Sequence, residues 1–232
     1  GQDSNIIDLV LVGNDINIRY EIIEKPEPVP VPAVESTTEV PTVSPKQEKQ
    51  KSAKFAHLDG CKIGRVLLTS NRLKADFTNQ LVQQANGIVL DYATWNILSM
   101  PSKMFNPKFK ISDLSSGYDI YDIKDGTTAT LYWYEPPQST GGWCLSSTNG
   151  FDISDYCWMG PTTYWDALCG IMKLYPDFSF DKLVKTKSYT IGFRHNDFHP
   201  LVTDPTKMWL IQSYDLLTGK INTAENIGLP LQ

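Results

Sequence analysis

Apolar residues recur with a period of two over most of the chain and with a helical period in few places. The run at 6–12 is strongly apolar, and Ile16, Ile18, Tyr20 and Ile22 alternate with polar neighbours, which predicts two short strands. Gly13, Asn14 and Asp15 supply a turn between them, so residues 1–24 read as a β-hairpin segment, too small to be stable without packing on something. Beyond residue 54, strand-like runs occur at 65–68, 87–90, 95–100, 120–123, 129–134, 143–146, 188–193 and 208–214. Helical patterns are confined to 79–85, 164–174 and 181–184. Strands with few helices and mostly hairpin-length links predict an α+β domain built on antiparallel sheets over 54–232.

The hairpin and this domain are separated by residues 25–53, which have a different character. Pro26, Pro28, Pro30, Pro32, Pro41 and Pro45 alternate with Glu, Val, Ser and Thr before a run of Lys, Gln and Glu. Proline removes backbone donors and favours extended conformations, and the polar remainder has too little apolar surface to collapse. The stretch reads as a Pro-rich linker.

Composition narrows the function. At 232 residues with 41% hydrophobic and 11% aromatic content, the chain has material for one well-buried domain. The formal net charge is -5 and the basic residues are not gathered, so charge alone does not imply a phosphate backbone as ligand. No apolar run approaches the roughly 20 residues needed to cross a bilayer, and residues 1–5 lack a signal-peptide pattern, so no membrane association and no export are expected. Cys61, Cys144, Cys157 and Cys169 are too dispersed for a zinc motif and read as reduced, mostly buried thiols. His195 and His199 are four apart but lead into Pro200, which favours a turn over a helical metal pair. Alternation puts Tyr132 and Tyr134 on one strand face and Leu131 and Trp133 on the other, leaving one pair as a candidate exposed binding surface.

The stretch 81–109 contains Asn86-Gly87, Asp91, Trp95 and Lys103-Met104-Phe105-Asn106. Further on come Ile123-Lys124-Asp125-Gly126 with a following strand, the strand ending at Asn149-Gly150, and the strand around Gly192 that leads to His199-Pro200. In that order these elements resemble the nucleotidyltransferase domain of ATP-dependent RNA ligases, members of the covalent nucleotidyltransferase superfamily. The resemblance implies an RNA-ligase-like fold over 54–232. It also implies a nucleotide pocket whose remnants are Ile123, Asp125, Gly126, Asn86, Asn149 and Gly192.

The departures fall on the chemistry. The family's lysine attacks the α-phosphate of ATP, with a metal and nearby cations holding the phosphates. In the family's Lys-x-Asp-Gly register, set by Asp125-Gly126, the nucleophile's place is Ile123. Lys124 stands one residue on, where strand alternation turns it to the opposite face unless a bulge re-aims it. Asn86 and Asn149 replace arginines, and the family's strand glutamate has its place near Gly192. The pair Lys185 and Lys187 has the letters of a later family motif but precedes the stretch it should follow.

Two classes of function follow. The first is a non-catalytic interaction domain with no cofactor, binding a protein partner through the N-terminal hairpin and retaining at most a weak affinity for a nucleotide or RNA end. The second is a divergent, active ligase with Lys124 as nucleophile, Asp125 beside it, and ATP and Mg as cofactors. Gly1 and Gln232 resemble the Gln-Gly cleavage preference of picorna-like polyprotein proteases. That reading implies a viral polyprotein product, capsid-attached or replication-associated, in the host cytoplasm or the virion.

Overall fold

The structure is a computed structural model and describes residues 15–23, 63–71, 73–104, 124–136, 140–157, 160–198 and 205–232. The strands expected at 6–12 and 120–123, the linker at 25–53, and Cys61, Ile123 and His199 lie outside the described residues.

Two antiparallel sheets form the framework. The first contains β1 (Ile16–Ile23), β2 (Ile63–Ser70), β3 (Asn86–Asp91) and β4 (Ile97–Ser99), in that spatial order. The second contains β5 (Thr127–Tyr134), β6 (Gly142–Ser146), β7 (Lys187–Arg194), β8 (Lys207–Asp215) and β9 (Ile221–Asn222), in the order β6-β5-β7-β8-β9. Helices are short: α1 (Gln80–Gln84), α2 (Tyr164–Met172) and a 3-10 turn at Phe180–Lys182. Asn79 caps α1 by accepting from the Leu81 amide at 2.9 Å, and Thr163 caps α2 by accepting from the Asp166 amide at 3.0 Å.

Period-two alternation divides the apolar side chains into three layers. Val66, Leu68, Ile88 and Leu90 face outward from the first sheet and are covered by Ile16, Ala85 and Tyr92. Leu67 and Val89 point the other way and meet Tyr132, Tyr134 and Phe151 between the sheets. Behind the second sheet, Leu131, Tyr189, Ile191, Phe193, Met208 and Leu210 pack on Ala167, Leu168 and Ile171 of α2. Burial of this area is the main source of cohesion.

The strand expected over 16–22 is β1, and the packing its segment was expected to need is supplied by β2. It pairs with β2 along its whole length, from Ile16 opposite Ser70 to Ile23 opposite Ile63. It is therefore part of the first sheet, and Ile16 is buried in that sheet's outer layer. The sequence pattern specified a strand with one apolar face but could not name its partner.

Smaller corrections have local causes. Trp95 lies outside β4, in the β3–β4 turn with φ 60°. There the Asp91 carboxylate accepts from the Thr94 amide at 2.7 Å and its hydroxyl at 2.8 Å, an Asx-type turn. No exposed aromatic pair exists on β5: Tyr132, Tyr134 and Leu131 are buried, and half-buried Trp133 carries the Lys185 ammonium 3.7 Å from its ring centre. The three described thiols are free, with Cys157 exposed and Cys144 and Cys169 half-buried rather than buried. His195 leads into a turn, where its Nδ1 accepts from the Asp197 amide at 3.3 Å.

Candidate functional site

The two sheets separate at one margin and leave a groove. One part, about 350 Å³, is bounded by Asn86 and Gly87 of β3, Lys103, Thr128 and Thr130 of β5, and Thr148. It continues past Asn17, Ser70 and Asn149, a recess of about 200 Å³, to Arg19 and Thr69, a further 590 Å³. Gly87 fixes the join between the sheets. Its φ is 100°, and a Cβ there would stand 2.9 Å from the Ser147 carbonyl oxygen, so the turn after β6 can dock on β3 only at a glycine.

The sequence-predicted residues divide between this groove and a second place. Asn86 lines the groove, with its Nδ2 donating to the Ser102 carbonyl at 3.0 Å. Asn149 lies at the groove's bend, and its carbonyl accepts from the Arg19 guanidinium. Gly126 and Gly192 instead meet around Trp209. Gly192 is paired with Thr128 on one side and Trp209 on the other, so all three share the inward face of the second sheet. A Cβ on Gly192 would stand 2.2 Å from the Trp209 indole, and one on Gly126 would stand 2.8 Å from the ring's edge. Trp209, only 3% exposed, thus fills the space into which a side chain at position 192 would project.

Lys124 stands beside the same ring. Its ammonium is 5.7 Å from the Trp209 ring centre and donates to the Leu231 carbonyl at 3.0 Å; it does not line the groove. Asp125 is exposed, and its backbone carbonyl accepts from Arg194 Nη2 at 2.6 Å, with the carboxylate 3.9 Å from that guanidinium. Lys187 is bound to Glu225 at 2.7 Å, and Lys185 covers Trp133. Both belong to the side of the second sheet that faces away from the groove.

Beneath the groove, the buried Arg65 donates to the Tyr132 hydroxyl at 2.6 Å and lies 4.6 Å from the Tyr134 ring centre. The Tyr132 hydroxyl in turn donates to the Phe151 carbonyl at 2.8 Å. Cys144 lies 3.6 Å from Arg65, and burial, aided by nearby Asp152, pushes its thiol up to about 12. Burial likewise raises the Tyr132 hydroxyl well above its usual value.

Sequence reasoning missed Arg19, Arg65, Arg194 and Trp209. Arg194 had a signal, since it lies two residues after Gly192 on one strand and so shares its face. The others depend on strand partners that no local pattern specifies.

Trp209 leaves no room for side chains at the two glycines beside it. The indole occupies the space above Gly126 and Gly192, and Lys124 is engaged elsewhere. Among the described residues no group of three His, Cys, Asp or Glu side chains is placed to hold a metal ion. No helix among them is long and apolar enough to cross a membrane.

No family model matches the chain. Relatives are nevertheless found among proteins of African swine fever virus. A protein of the Pig/Kenya isolate named "Putative RNA-ligase" is 30% identical over 192 residues, covering 75% of this chain and 42% of the relative. One of the same name from the Vero-adapted Badajoz strain is 30% identical over 194 residues, with 76% and 42% covered. A protein of the Warthog/Namibia isolate named "Uncharacterized protein M448R" is 29% identical over 194 residues, with the same coverage. The chain spans less than half the length of these relatives. Over 75–76% of its length the chain is thus similar to viral proteins named "Putative RNA-ligase".

Proposed function

We propose that this chain is a non-catalytic, RNA-ligase-like interaction domain of a viral protein, acting in the host cytoplasm or the virion. The observation that carries the reading is Trp209, whose indole fills the space over Gly126 and Gly192 where the resembled family needs room for a nucleotide and a carboxylate. The environment of Lys124 agrees with it. An amine held by the Leu231 carbonyl, outside the groove, is not aimed at a phosphate within the roughly 3.5 Å that in-line attack requires. The competing reading, with Lys124 as nucleophile and Asp125 as its partner, asks for two side chains that diverge here: one towards Trp209, the other into solvent.

A protein partner for the N-terminal segment would meet β1 on the edge that β2 leaves, since β2 takes the other. The test is end joining. Incubated with 5′-phosphorylated single-stranded and nicked RNA, ATP and magnesium or manganese, the protein should give no joined product. Joined RNA that disappears with Lys124→Ala would overturn the reading.

A further inference from the structure

We propose that β2 is a seat for a β1 strand supplied by its own chain or by a second copy of it, so that at high local concentration two copies exchange β1 and form a symmetric dimer. β1 meets the rest of the protein as a strand added to a sheet edge. Its eight residues pair antiparallel with β2 in unbroken register, from Ile16 opposite Ser70 to Ile23 opposite Ile63. Ile16 is buried in the outer layer with Val66 and Leu68, Ile18 packs against the same layer, and Asn17 and Arg19 on the other face are exposed. Two further contacts hold the strand. The Asp15 carbonyl accepts from the Asn71 amide at 2.6 Å, and the Arg19 guanidinium donates to the Asn149 carbonyl. Main-chain pairing with alternate side chains as anchors is how a separate peptide adds a strand to a sheet.

None of these contacts requires β1 to come from the same chain. Ile23 and Ile63 are cross-strand partners, with Cα atoms about 5 Å apart, yet the covalent route between them runs through residues 24–62. A closed monomer must bring both ends of that long segment together. The segment opens with Pro26, Pro28, Pro30 and Pro32, and alternating prolines favour a stiff, extended course that leads away from β1 before it can return. With 25–53 read as a linker, its excess length lowers the effective concentration of the tethered strand below the roughly millimolar value of short flexible linkers. Free copies approaching that concentration compete for the seat. Exchange between two copies repeats every contact of β1, so concentration and linker govern the balance. An empty seat would instead bare the edge amides and carbonyls of β2. A second copy is the occupant the seat fits, because its β1 brings the same register, the same Ile16 and Ile18 anchors and the same Arg19 contact.

The test pairs a cross-link with a change of linker. Asn17→Cys with Thr69→Cys puts thiols on partnered positions, in a full chain that also carries Cys61→Ser and Cys157→Ser so that neither of those thiols competes. After prolonged incubation and oxidation, the chain at about 10 μM should run as an internally bridged monomer on a non-reducing denaturing gel. At about 1 mM, near the effective concentration of a tether, the covalent dimer fraction should be about tenfold higher or more. Light scattering of the unsubstituted chain should show the same rise in mass. Replacing residues 24–62 by Asn-Gly, a two-residue hairpin turn, should leave a monomer at both concentrations, because the strand and its seat are then adjacent in sequence. An internal disulfide alone at both concentrations would overturn the proposal. So would a dimer that persists in the shortened chain, since it would use another surface. If the cysteine pair prevents folding, light scattering decides alone, and a mass that stays monomeric at 1 mM in the unsubstituted chain overturns the proposal.

Discussion

Gly192 and Trp209 are complementary in shape, and each restricts what the other can be. A methyl group at position 192 would collide with the indole, so Gly192→Ala should destabilise the fold by about 1–3 kcal/mol, the usual cost of overpacking. Urea denaturation measures this, and Trp209→Leu in the Gly192→Ala background should return part of the loss. An unchanged midpoint for Gly192→Ala would mean that the indole does not rest on the glycine. The sequence put the place of a missing glutamate near Gly192 but gave no hint of what fills the space there. The reason is a β-bulge. Ile191 pairs with Leu210 while Thr190 pairs with Gln212, so Ile211 is the extra residue and alternation along β8 changes phase. Asn86, Asn149 and Lys124 were legible as departures because they sit in contiguous motifs. Arg19 was not, because its role depends on a neighbour 130 residues away.

At the scale of elements, period-two patterning located the strands well, and the runs at 65–68, 87–90, 129–134, 143–146, 188–193 and 208–214 all fall inside β2, β3, β5, β6, β7 and β8. Pairing was the illegible part. Apolar alternation says which face of a strand is buried but not against what, and β1 could be placed beside β2 only by the structure. The linker expected at 25–53 and the domain expected to begin at 54 remain proposals, and β1 gives them a sharper test. Limited proteolysis should cut within 25–53, and the N-terminal piece should stay with the rest, because eight residues of β1 pair with β2 and Ile16 is buried there. The nicked protein should elute from size exclusion as one peak containing both pieces. An N-terminal peptide eluting alone, with the remainder still folded by circular dichroism, would show that β1 is dispensable to the sheet.

For the whole molecule, the order of motifs in the sequence suggested an RNA-ligase-like chain, and similarity to viral proteins of that name agrees with it. The groove between the sheets could not be read beforehand, because it is made from β1, β2, β3, residues 101–104, β5 and the turn after β6, six separate parts of the sequence. The central claim is that such a framework here carries no nucleotidyl-transfer chemistry. It is tested most directly by incubating the protein with α-labelled ATP or GTP and magnesium or manganese, then separating it by denaturing electrophoresis. A working nucleotidyltransferase must pass through a covalent lysyl intermediate that survives denaturation. Lys124 is held by Leu231 and Trp209 rather than facing the groove, so the account predicts no retained label with either nucleotide or metal. Label retained on the protein, and lost in Lys124→Ala, would contradict it.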